Sequence, residues 1–132
     1  MTGKASRPTA GRLVPLLADL VCVLVFAMAG KSTHESSTSD WVVLAIVWPF
    51  ALSVVLAHAG VLLRRRPTAR TWPEGVLVLA VTYVLGMVLR LVSGRGIAGG
   101  FLVVALVFLA LTMLGWRAVL RLTSRQRAAR TS

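Results

Sequence analysis

The chain is poor in the residues from which catalytic and crosslinked sites are most often built. It has one cysteine, Cys22, which excludes an intramolecular disulfide and a thiolate metal site. It has no asparagine, so no N-glycosylation acceptor. Acidic residues number only 4 against 15 basic ones, a net charge of +11. No H-E-x-x-H, Gly-x-Ser-x-Gly or Walker loop occurs, and an enzyme is not expected. His34 beside Glu35 does not make a metal site, because two adjacent ligands cannot close a tetrahedron, and no cofactor is expected.

What the chain has is apolar length. Of 132 residues, 57% are hydrophobic and mean hydropathy is +0.81, with the apolar residues gathered in long blocks. The reading is an all-α, polytopic membrane protein whose four transmembrane helices pack as a small bundle in one membrane domain, residues 1–132. A polar arm, 1–12, precedes spans at about 13–30, 41–63, 73–93 and 97–122, and a polar tail, 123–132, is expected to fray. The first run is ~27 Å long at the helical rise, close to the ~30 Å of a hydrocarbon core. Its basic start and Ala27-Met28-Ala29 also resemble a secretory signal. Asp19 in the middle and the length of the run favour an uncleaved span.

Clustered basic residues could mark a nucleic-acid binder, but here they flank apolar segments and leave no soluble domain to carry a groove. They read instead as topology. Twelve of the fifteen fall in the N-terminal arm, the 64–70 loop and the segment from Arg117 onward; Lys31, Arg90 and Arg95 fall on the other side. Both termini are therefore expected in the cytoplasm of a multi-pass protein of a bacterial inner membrane. Trp41, Trp72 and Trp116 sit near span ends as an aromatic belt would, whereas Trp48, beside Pro49, is assigned to packing around a kink. Asp40 is expected to cap the second span. Thr71 and Glu74 have capping-box spacing, which makes Glu74 a helix cap rather than a catalytic acid.

Residues four apart share a helix face, so Thr82, Gly86, Arg90 and Gly94 form one stripe of the third span that should face protein. Ala45, Pro49, Ser53, Ala57 and Gly60 form a second stripe of mostly small residues, suited to helix contact.

Depth counting gives the sharpest site expectation. Asp19 lies ~9 Å and His58 ~7.5 Å inside the cytoplasmic ends of their spans, with Arg117 at similar depth, so three ionisable groups from three helices share a layer. Paired with Arg117, Asp19 keeps its charge, and His58 can bridge or titrate. On the opposite side Lys31, His34, Arg90 and Arg95 are expected to form a basic pocket suited to lipid head groups or small anions.

Asp19 in the first span, Gly30 followed by His34, Trp48-Pro49-Phe50, Gly86 to Arg90, Gly94-Arg95-Gly96 with Phe101, and Gly115-Trp116-Arg117 together resemble a family of small bacterial integral membrane proteins, domain-of-unknown-function family 3054. The resemblance covers nearly the whole chain. It implies a small integral membrane protein with no assigned activity, and so lends no role to any residue. The expected role is structural or accessory, with membrane lipids as partners and a homo-oligomer as an open possibility. The alternative is a small proton-coupled transporter acting as a dimer, with Asp19 titrating. The strong charge bias argues against the dual-topology transporters it would resemble.

Overall fold

The computed structural model describes residues 9–32, 40–66 and 71–132; the side chains of 9–12, 31, 32, 40 and 71 lie outside that description. The cap assigned to Asp40 therefore cannot be placed. Helix α1 spans Thr9–Ser32 and α2 spans Asp40–Leu63. A short turn, Thr71–Gly75, leads into α3, Val76–Val92. Helix α4, Gly99–Leu109, runs through a wide π-type turn, Ala110–Leu114, into α5, Gly115–Thr131. Four of the resulting rods are long and apolar enough to cross a bilayer, and together they make a helical membrane bundle.

Each rod packs on its chain neighbour, and α4 closes the ring against α1. Phe26 of α1 is the hub. Its ring meets Phe50 of α2 edge-on at 5.4 Å and lies 5.9 and 5.7 Å from Phe101 and Phe108 of α4, an arrangement in which each ring's positive edge can approach a negative face. Helix α3 is joined differently. Gly86 is buried against Phe50, and the Tyr83 hydroxyl donates to the Leu102 carbonyl at 3.0 Å. Only 17–39% of each span is buried, so most of its apolar surface is left for acyl chains.

The C-terminal ends of α2 and α3 are both closed by local backbone bonds. At the end of α3, Gly94 adopts φ +80°, with its N–H bonded to the Leu91 carbonyl and that of Arg95 to the Arg90 carbonyl, which satisfies two otherwise orphaned acceptors. At the end of α2 the same pair of bonds runs from Arg65 to Leu62 and from Arg66 to Val61. There Arg65 holds φ +56°, a left-handed conformation costing a non-glycine residue about 1 kcal/mol.

Several expectations change. Glu74 is not a cap: the backbone of Trp72 is extended, the helix proper starts after Gly75, and no side chain caps it. Glu74 instead lies ahead of the helix, buried at 3% exposure. Trp48 is not packed around Pro49. Pro49 and Phe50 take the interior, and Trp48, one residue earlier and so ~100° around the helix, turns outward at 43% exposure. Gly60 leaves the small-residue stripe: near the C-terminal end of α2 it is exposed, although it lies on the same side of the helix as Ser53 and Ala57, which stay inside. Gly94 belongs to the turn instead of the α3 face. The tail is helical to Thr131. Arg, Gln and Ala are good helix formers, and extending an existing helix avoids the nucleation penalty.

Candidate functional site

Asp19 is completely buried on α1, two turns before the aromatic hub. Two other helices converge on it. From α5, Arg117 grips the carboxylate with both terminal nitrogens, Nη1 to Oδ1 at 2.8 Å and Nη2 to Oδ2 at 2.6 Å. Trp116 donates its indole N–H to Oδ1 at 2.8 Å. From α2, His58 Nε2 lies 2.7 Å from Oδ2. Each carboxylate oxygen thus has two partners, which fills the roughly four acceptor positions an ionised carboxylate offers. Such paired, planar contacts to a guanidinium are the stronger kind of hydrogen bond.

Arg117 is held from its own side as well. Its Nη1 donates to the Met113 carbonyl at 2.8 Å, and its guanidinium lies 4.4 Å from the Trp116 ring centroid. The wide turn Ala110–Leu114 immediately before α5 re-aims both side chains. A π-type turn inserts an extra residue per turn and so shifts the face on which later residues emerge. Thr112 inside that turn bonds back to the Phe108 carbonyl at 2.9 Å. With Arg117 at 1% and His58 at 1% exposure, the guanidinium and carboxylate neutralise each other away from water. An ionised Asp19 can only accept, so His58 donates to it from Nε2, and the Nδ1 of His58 has no partner among the described residues.

The structure therefore joins Asp19, His58 and Arg117 and adds Trp116, which the sequence had suggested only as an interfacial aromatic. The second group lies only partly within the described residues. The Lys31 side chain and the whole of His34 lie outside the described residues. The guanidinium of Arg90 lies over the Phe101 ring, 4.2 Å from its centroid, and Arg95 is half-buried in the following turn. Among the described residues, no group of three His, Cys, Asp or Glu side chains is arranged to hold a metal.

The arrangement is chemically suited to holding rather than reacting. A carboxylate whose acceptor positions are all occupied can neither attack a substrate nor take a proton without first losing a partner.

A family model described as "Protein of unknown function (DUF3054)" matches residues 16–120, most of the chain and every residue of the Asp19 cluster. No curated protein and no solved structure matches the chain.

Proposed function

The chain belongs to this family of unknown function, and we propose that it serves as a non-enzymatic structural or accessory membrane protein, with the Asp19 cluster as the clasp of its bundle. One observation carries the reading: the only acidic side chain in the interior of the first span is sealed from solvent and fully partnered from α2 and α5. A transporter's titrating carboxylate has to be reached and released in each cycle, whereas a clasp has to stay shut. In this reading its faces act on membrane lipids and on protein neighbours, a second copy included, and nucleic acid is not a partner.

Reconstituted into vesicles carrying an internal pH-sensitive dye, the protein is expected to pass no more protons down a pH gradient than protein-free vesicles. Asp19→Asn should leave that flux unchanged while lowering the melting temperature. Protein-dependent flux abolished by Asp19→Asn in a fully stable variant would remove the structural reading and establish the runner-up. That runner-up, a small proton-coupled transporter acting as a dimer, is favoured by one feature: the Nδ1 of His58, beside Asp19, has no partner among the described residues.

The charge bias supports a multi-pass protein of the bacterial inner membrane with both termini in the cytoplasm. In a Cys22→Ala background, single cysteines at Arg66 and Arg130 should react with an impermeant maleimide only from the inner side, and one at Ser93 only from the outer side. Labelling of all three from one side would break this threading.

A further inference from the structure

Where α2 ends and α3 begins, a cleft of about 500 Å³ opens between Val61, Arg64, Arg66, Trp72, Glu74 and Leu77. Glu74 is the anomaly in it. The side chain is 4% exposed, and neither carboxylate oxygen has a hydrogen-bond partner among the described residues. Among the described residues the cation paired with it, Arg66, stops with Nη1 3.8 Å from Oε1, outside hydrogen-bonding range, and its side chain is 62% exposed. Buried carboxylates are ordinarily satisfied, so this one is prepared for a donor. Around it the lining divides by chemistry. Arg64 and Arg66 are exposed at the mouth, Trp72 stands out at 70% exposure, and Leu77 and Ala80 continue the wall along the apolar outer face of α3.

A bound group that matches this lining needs an N–H donor for Glu74, an anion beside it for the arginines, and an apolar extension along α3. We propose that the cleft binds a phospholipid whose head group joins a primary ammonium to a phosphate. The ammonium bonds the Glu74 carboxylate, the phosphate lies against Arg64 and Arg66, and an acyl chain runs past Leu77 and Ala80. Only a primary or partly substituted amine supplies the N–H that the Glu74 oxygens lack; a quaternary ammonium of the same charge cannot donate. Continuity with the lipid-facing wall selects a membrane lipid over a soluble amine, and the ring of Trp72 is at home at the head-group level.

The full-length protein in maltoside would be titrated with dioleoyl phosphatidylethanolamine, phosphatidylcholine and phosphatidylglycerol, and retained lipid read by native mass spectrometry. Phosphatidylethanolamine is expected to bind roughly tenfold tighter than phosphatidylcholine, the scale of one charge-assisted hydrogen bond. Glu74→Gln should collapse that ratio, and a double Arg64→Gln, Arg66→Gln variant should weaken both lipids alike. Equal retention of the two zwitterionic lipids overturns the proposal. So does phosphatidylglycerol binding as tightly as phosphatidylethanolamine, which would make the cleft a plain anion site. Soluble O-phosphoethanolamine at the same concentration should not compete; if it competes equally, the lipid source is wrong. The lipid series on the unaltered protein decides the matter even if Glu74→Gln does not fold.

Discussion

Arg117→Met should destabilise the bundle by about 3 to 5 kcal/mol and lower its melting temperature in detergent by roughly 10 °C or more. The loss is not the value of the ion pair itself. Desolvating two charges offsets most of their attraction, and a buried pair can be worth little against a well-packed apolar substitute. The damage comes from what remains: a carboxylate at 0% exposure with two of its four contacts gone and no water to replace them. Asp19→Leu should cost a comparable amount, because it takes the carboxylate away from a buried guanidinium, from Trp116 and from His58, and leaves the charge of Arg117 uncompensated. The combined Asp19→Leu, Arg117→Met variant should then be markedly more stable than the sum of the single changes predicts, since neither charge remains to be orphaned. Thermal melts of the four proteins form the cycle. Strict additivity would mean that the two side chains do not act as one unit.

The second large effect is expected at Gly86. A Cβ added there would stand 2.5 Å from Phe50 Cδ1 and 2.7 Å from Cε1, distances at which something has to move. Two terms oppose each other. Alanine is intrinsically better than glycine in a helix by about 1 kcal/mol, while forcing an extra carbon into a packed core costs about 1 to 3. The second term should dominate because Phe50 is a flat, fully buried ring pinned edge-on by Phe26, which is itself wedged against Phe101 and Phe108. Gly86→Ala should therefore lower the melting temperature, and Gly86→Val should lower it further. Phe50→Leu, by thinning the ring, should make Gly86→Ala less harmful than it is in the parent. Gly60→Ala is the control, with nothing within 4 Å of the new carbon, and it should be neutral or slightly stabilising. If both glycines respond alike, the α2–α3 contact is looser than described.

The four spans were legible because membrane helices announce themselves by uninterrupted apolar length, and counting residues from the span ends brought Asp19, His58 and Arg117 to one depth. Trp116 was not legible as their partner. It is adjacent to Arg117, ~100° away on a regular helix, and nothing in the sequence marks the wide turn Ala110–Leu114 that re-aims the pair. Glu74 departs from its capping-box spacing for a related reason. The Thr-x-x-Glu spacing signals a cap only if the chain is helical between the two residues, and the extended backbone at Trp72 removes that condition. The tail is polar yet helical, because Arg, Gln and Ala favour a helix once one is under way, and polarity alone does not signal fraying.

The last rod, Gly99–Thr131, is 33 residues long, ~50 Å at the helical rise, and outruns a ~30 Å hydrocarbon layer by about 20 Å. Its overhang carries Arg121, Arg125, Arg127 and Arg130, and the same stiff helix holds Arg117 against Asp19. The basic overhang is thus continuous, within one helix, with the arginine that holds the first span's carboxylate, so the C-terminal end of the longest rod is tied to the bundle one helical turn before its first exposed arginine.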